Sequence, residues 1–305
     1  MRMVQSAGSN GIDTASHSPP PNGRRYWLSE SLLSRKLRAA IWLSAIMIPA
    51  MMWWNARAFV VAPTSDPSSI TTLQKGSYGS HRTLHISVIG DSWACGRGLA
   101  DAVEKQLSND GVTAKVTSFG HGGAKSRDVL LNLLKSDDAL HSSKPVLVGD
   151  TDLCVVVCGV NDTAGYIGAD FYSFHVAEIA KLLQSHGVFP IILEVPEFGI
   201  QESSSISFLG ACRRIAMRWI LHAGERDVIT AYRDALRSTL QADLPSSAYK
   251  LVSFGSVCED YTQARHLYTK DMCHLSTDGL SRLAAVLSDE INACHPEVPA
   301  VEAQE

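Results

Sequence analysis

From residue 83 onward, short runs of apolar residues alternate with longer segments of helical period. Residues 84–89, 112–119, 153–157, 188–195 and 250–254 are runs of the first kind, and they predict five strands. Residues 99–107, 129–140, 171–183, 212–222, 228–240 and 280–291 repeat their apolar positions three and four apart, and they predict helices. Strands alternating with helices imply parallel crossover connections. Strands that are apolar on both faces imply a sheet covered on each side. The expected fold class is therefore α/β: a three-layer α/β/α sandwich around a parallel five-stranded sheet. There is no internal repeat.

The pattern ahead of residue 83 is different. Residues 1–38 start rich in Ser, Gly, Pro and Asn, with no apolar period, and end in a basic group of Arg24, Arg25, Arg35, Lys36 and Arg38. They predict a disordered, basic, cytoplasmic N-terminus. Residues 39–61 form an apolar run interrupted by Asn55 and Arg57. A membrane anchor, a signal segment cut after Ala58 or Ala62, and a buried core helix are the three readings. The first stretch, 39–54, falls short of the ~20 residues that span hydrocarbon. Extension to residue 61 gives a sufficient length, with Arg57 reaching back to the interface. The basic flank on one side and Trp53 and Trp54 on the other favour the membrane readings. The expected location is then a single N-terminal anchor with the rest outside the cytoplasm, or secretion after cleavage. Residues 62–82 predict a linker, 83–295 the folded domain and 296–305 a polar tail.

Composition narrows the functions. Hydrophobic residues make up 45% of the 305, enough for a sizeable core. A net charge of −4 gives no basic field for nucleic acid. Seven cysteines occur with no C-x-x-C spacing, which argues against a zinc ribbon or a redox motif. Cys154 and Cys158 read as buried small hydrophobes. Cys258 and Cys273 flank a loop and are candidates for pairing in an oxidising compartment.

Chemistry concentrates at the ends of the expected strands, where open parallel sheets carry their sites. After the first strand comes Gly90-Asp91-Ser92, after the second Gly120-His121-Gly122-Gly123, and after the third Gly159-Val160-Asn161-Asp162. Asp271-Met272-Cys273-His274-Leu275 precedes the last helix. Together they hold what acyl transfer needs. Ser92 at a strand-to-helix turn is a candidate nucleophile, activated by His274 as base. Asp271 is the candidate to fix the imidazole tautomer, with Asp278, Asp162 and Asp91 as rivals. The Ser92 and Gly123 backbone N–H groups and the Asn161 amide are candidate oxyanion donors. Each piece alone has a plain structural reading, as a turn, a helix cap or a surface histidine.

In this order the residues resemble the SGNH hydrolase superfamily, the GDSL-like lipases and esterases. Val88-Ile89-Gly90-Asp91-Ser92 is similar to the first block, whose serine is the nucleophile. Gly120 to Ala124 is similar to the second, whose glycine donates to the oxyanion; Gly123 takes that role, with Gly122 as alternative. Gly159-Val160-Asn161-Asp162 matches G-x-N-D, and Asp271 to His274 matches D-x-x-H. Two departures stand out: Trp93 follows the serine in place of leucine, and Ser118 stands where an asparagine often precedes the second block. The resemblance covers about residues 83–293. It implies a flavodoxin-like sandwich, a Ser92–His274–Asp271 triad and no cofactor or metal.

The resulting expectation is a serine esterase acting on short-chain acyl or acetyl esters, with a small-molecule or glycan ester as substrate. An O-acyltransferase of cell-envelope glycans on the same triad is the alternative. A non-catalytic binding module on this fold is a further rival, disfavoured by the complete triad. A nucleotide-binding reading of Gly120 to Ser126 fails because Gly and Lys are not adjacent, as a phosphate loop requires. Tyr166, Phe198 and Tyr261 are the expected pocket wall.

Overall fold

The computed structural model describes residues 35, 37–39, 41–46, 83–135, 142–143, 145–200 and 208–294. The chain divides into two compact units, Met1–Pro63 and Thr64–Glu305. In the first, residues 41–46 are helical, with Ile41, Trp42, Leu43 and Ile46 exposed. Among the described residues no helix is long and apolar enough to cross a membrane. Most of the 1–38 and 39–61 segments, the 62–82 linker and the 296–305 tail lie outside the described residues.

The second unit is built on five parallel strands: β1 (Leu84–Gly90), β2 (Ala114–Gly120), β3 (Leu153–Val157), β4 (Phe189–Leu193) and β5 (Lys250–Val252). Their order in the sheet is β2-β1-β3-β4-β5. The helices are α1 (Gly98–Asn109), α2 (Ser126–Leu134), α3 (Pro145–Val148), α4 (Val160–Ala164), α5 (Ala169–Ser185), α6 (Phe208–His222), α7 (Ile229–Asp243) and α8 (Thr277–Cys294). All five residues of β3 are buried, as the central strand of a covered sheet must be. Right-handed crossovers send helices to opposite faces wherever the direction of strand addition reverses. Here it reverses between β2 and β3, on either side of β1. Accordingly α1 packs with α8, while α5 packs with α2 and α7. The expected three-layer sandwich is the one observed.

Each helix buries the face its period marks. In α1 these are Leu99, Ala100, Val103 and Leu107; in α5 they include Tyr172, Val176, Ile179, Ala180 and Leu183. In α7 Ile229, Tyr232, Leu236 and Leu240 are buried, and in α8 Leu283, Leu287 and Ile291. A fully buried side chain of this size contributes about 1.5–3 kcal/mol.

Boundaries depart from the sequence expectation where polar groups intervene. β2 starts at Ala114 because Val112 closes α1: its N–H donates to Leu107 O at 2.8 Å, past Gly111 at φ +81°. α2 starts at Ser126 because Asp128 reaches back to the Lys125 N–H, a first turn too polar to register as periodic. It ends at Leu134, short of the expected 140. β5 ends at Val252, since the Ser253 side chain accepts the Gly255 N–H and turns the chain into a 3-10 turn.

Two glycines let the carboxyl end of the sheet close up. Gly90 has φ +155°, and a Cβ there would lie 1.7 Å from Val157 O. A Cβ at Gly120 would lie 2.0 Å from the Ala94 carbonyl carbon. Both neighbours are backbone and cannot rotate away. Gly120→Ala is therefore expected to lower stability by about 3 kcal/mol or more. Urea denaturation checks this; a midpoint within error of wild type would contradict it.

Candidate active site

The switch in strand direction opens a crevice beyond the carboxyl ends of β1 and β3. Three loops are laced together there by backbone bonds. Asp91 N–H donates to Val157 O at 3.0 Å, and His121 N–H donates to Gly90 O at 3.0 Å. The Ser118 hydroxyl donates to Ala94 O, supplying a bond of its own where asparagine often stands. Ser92 opens a single 3-10 turn, Ser92–Ala94, with Asp91 as its N-cap.

A fourth loop comes from the far end of the chain, and its conformation explains the three-residue spacing. Asp271 Oδ1 accepts the N–H groups of Cys273 and His274, each at 2.9 Å, and the Thr269 hydroxyl at 2.6 Å. Asp271 Oδ2 is left to face the imidazole, 2.5 Å from His274 Nδ1. One carboxylate thus folds the loop with one oxygen and holds the ring with the other. The tight path puts Met272 at φ +56°, an uncommon conformation for a residue with a side chain. The loop is tied down by Thr269 N–H to His274 O at 2.8 Å and by Gly199 N–H to Met272 O at 2.9 Å.

The two halves meet where His274 Nε2 lies 2.8 Å from Ser92 Oγ. Of the carboxylates considered from sequence, Asp271 is the one bonded to the ring. Asp278 sits in the first turn of α8, while Asp91 and Asp162 are buried beneath the site. Burial pushes the Asp271 carboxyl upward, but the hydrogen bonds from Thr269, His274 and the Cys273 N–H outweigh it. The group is held well below the usual carboxylate range. It stays ionised throughout the neutral range and is a constant acceptor for Nδ1–H.

The other candidate oxyanion donors stand on the loops that follow β2 and β3. Gly123 has φ +78°, with open space where a Cβ would project. Its N–H makes no hydrogen bond among the described residues. Asn161, in the first turn of α4, donates one amide hydrogen to Ala124 O at 3.0 Å, which fixes the side chain and leaves the other hydrogen to spare. A cleft of about 290 Å³ extends from His121, Gly122 and Gly123 along α2, where Asp128, Leu131, Asn132 and Lys135 line it.

Several expectations need correction. Tyr166, Phe198 and Tyr261 do not wall this cleft; they are core residues, at most 7% exposed. Tyr166 donates its hydroxyl to Arg226 O, and Tyr261 packs edge-on against Tyr268. Cys258 and Cys273 are free thiols. Cys258 closes the turn after Phe254, whereas Cys273 is fixed by Asp271, and burial pushes its thiol up to about 12. Thr269 and Ser126 are positioning residues that sequence reading passed over; a hydroxyl two residues before an aspartate gives no signal by itself.

No protein-family model matches the sequence, and no curated protein matches it. Solved structures do match. The lipase/acylhydrolase from Enterococcus faecalis superposes with a TM-score of 0.51 at 17% identity, over 69% of this chain and 96% of that one. The chain has the SGNH hydrolase fold. The psychrotrophic esterase EstA from Pseudoalteromonas sp. matches at 12% identity and a TM-score of 0.48, over 70% of this chain and 99% of that one. A GDSL-like lipase from Bacteroides thetaiotaomicron matches at 15% identity and a TM-score of 0.42, over 80% and 97%.

Beneath the Ser92–His274 pair of this SGNH fold lie two fully buried carboxyls. Asp162 accepts the Ser126 N–H at 2.9 Å and its hydroxyl at 2.8 Å, joining the third loop to the start of α2. Burial pushes it up to about 6, against those two bonds. Asp91 accepts the Trp93 N–H on Oδ1 at 3.0 Å, and the Val160 N–H also bears on its carboxyl. Burial pushes Asp91 up to about 7, against the Trp93 N–H and helped by the nearby Asp162 charge.

A carboxyl raised in the folded state takes up protons more readily there than in the unfolded chain. Stability therefore falls as pH rises from the unfolded value, near 4, to about 7, and stays low above it. Asp91→Asn removes that ionisation. Its stability relative to wild type is expected to improve by about 2 kcal/mol or more between about pH 4 and pH 8. Denaturation midpoints across that range check the sign; a pH-independent difference would contradict it.

Proposed function

We propose that the chain is a serine esterase that hydrolyses carboxylic esters, of short-chain acyl or acetyl type, through a Ser92–His274–Asp271 triad. The observation that carries this reading is the continuous hydrogen-bonded line from Asp271 Oδ2 through both imidazole nitrogens to Ser92 Oγ. Asp271 fixes the tautomer with the proton on Nδ1, which leaves Nε2 to accept the Ser92 proton. Oγ then attacks the ester carbonyl and the carbonyl π pair moves onto oxygen. The N–H groups of Ser92 and Gly123 and the spare Asn161 amide hydrogen stabilise that oxyanion. Collapse expels the alkoxide, which takes the proton from Nε2, leaving an acyl ester on Ser92. Water, deprotonated by Nε2, attacks this ester through a second oxyanion; the acid leaves and Oγ recovers its proton.

The cleft beside Gly123 supports a small ester. It is small, about 290 Å³, and its lining mixes Ala124 and Leu131 with Asp128, Asn132 and Lys135. A cleft of this size suits a short acyl group more than a long acyl chain. We further place the domain outside the cytoplasm, tethered by residues 39–61. The basic flank of that run and the exposed apolar side chains of residues 41–46 support this location.

A series of p-nitrophenyl esters from acetate upward tests the reading. Turnover is expected to be highest with the shortest chains and to vanish in Ser92→Ala, since triad members act as a unit. Undiminished turnover in Ser92→Ala would refute it. Asn161→Ala is expected to lower kcat roughly 100- to 1,000-fold with little change in KM, as for loss of one oxyanion donor. A rise in KM alone would assign Asn161 to substrate binding.

A further inference from the structure

Helix α6 presents an apolar face to water. An amphipathic helix on a soluble domain buries its apolar stripe and presents its charges to solvent. In α6 the residues Cys212, Ile215, Ala216, Trp219 and Ile220, spaced three and four apart, face outward. Ile215 is 54% exposed, Trp219 63% and Ile220 45%. The inner side carries Arg214, Arg218 and His222. Arg214 donates to Ile200 O and lies 5.8 Å over the Tyr166 ring; His222 stacks on Tyr232. Polar contacts, with Met217 against the core and Leu221 against the Gly168 loop, seat the helix on the body of the domain. Among the described residues nothing covers the outward apolar stripe. Solvent penalises a contiguous apolar face of this size, and such faces mark interaction surfaces.

The charges on α6 indicate what covers it. Residues 208–222 hold three arginines, Arg213, Arg214 and Arg218, and no aspartate or glutamate. Of these, Arg213 is the exposed one, at the margin of the apolar stripe. A tryptophan and isoleucines on one face, an exposed arginine at its margin and no acid are the features of a helix lying in a bilayer interface. There the apolar face enters the acyl boundary while arginines meet the headgroup phosphates. A partner protein's acidic groove would need the stripe matched by shape as well; a bilayer needs only this margin. The helix also sits at the catalytic end. It follows the β4 carboxyl end and leans on the Tyr166–Gly168 loop that succeeds the Asn161 helix.

We propose that α6 is a membrane-docking helix that lays its Ile215–Trp219–Ile220 face on an anionic lipid surface. This contact is separate from the 39–61 segment and does not depend on it. It holds the mouth of the site close to the plane of the bilayer, where esters of membrane-associated molecules are presented.

Peptide-resolved hydrogen exchange on the full chain tests this, because it reads α6 independently of the N-terminal segment. Vesicles of phosphatidylcholine with phosphatidylglycerol are compared with pure phosphatidylcholine. The amides of residues 208–222 are expected to exchange at least several-fold more slowly with the anionic vesicles only, and the effect to shrink as salt is raised. The double variant Trp219→Ser, Ile220→Ser and the single variant Arg213→Glu are each expected to lose this protection. Both should hydrolyse a soluble acetyl ester at the wild-type rate, which also shows that they fold. Exchange across 208–222 that anionic vesicles leave unchanged would overturn the proposal, even if the chain binds them through residues 1–82. So would protection that appears without vesicles and grows with protein concentration, which would make a second copy the cover.

Discussion

The contact between Ser92 and His274 joins residues 182 apart in the chain, and the proposed activity depends on its closing. A side-chain hydrogen bond over that separation is too weak to gather its own loops, at about 1 kcal/mol net. The loops are gathered first by other means. On the Ser92 side, the sheet brings β1, β2 and β3 together, and the Asp91 and His121 N–H groups lock the strand ends to one another. On the His274 side, the short antiparallel bridge of Tyr268 with Leu275 and the Gly199–Met272 bond anchor the loop. The Ser92–His274 hydrogen bond then forms between groups already in place, which is the preorganisation that the proposed catalysis requires.

The site combines opposite electrostatic environments. Asp271, about half exposed and held by four donors, is kept ionised. Asp91 and Asp162, buried below, are shifted toward the neutral form. Their placement follows from their work. In the proposed mechanism Asp271 stabilises an imidazolium during turnover, and a fixed negative charge does this. The buried pair instead tie backbone to backbone. Asp91 holds the turn behind the nucleophile, and Asp162 holds the start of α2 against α4. Folding stability is reduced at neutral pH to keep these polar links inside the core.

Much of this was legible in the sequence, for reasons that differ between residues. Ser92, Asn161, Asp271 and His274 stand out because few residue types can serve as nucleophile, base or donor; the first two follow apolar runs, and the last two stand just ahead of the final helix. β3 was legible to the residue because a fully buried strand has no polar position to blur its ends. Less legible were features decided by tertiary contacts. Val112 belongs in sequence to a strand but is claimed by the α1 cap. Tyr166, Phe198 and Tyr261 follow strand ends as a pocket wall would, yet an aromatic there fills the core equally well, and the core claimed all three. The period of α6 marked an apolar face, but nothing in a period says whether that face turns inward or outward.

The account comes down to Ser92 Oγ being made nucleophilic by His274. The most direct measurement is to treat the folded chain with a fluorophosphonate and map the modified residue by mass spectrometry, with and without the His274→Ala substitution. A single adduct on Ser92 that forms rapidly in wild type and at a small fraction of that rate in His274→Ala is the expected result. An adduct on another residue, or equal rates in the two proteins, would contradict it.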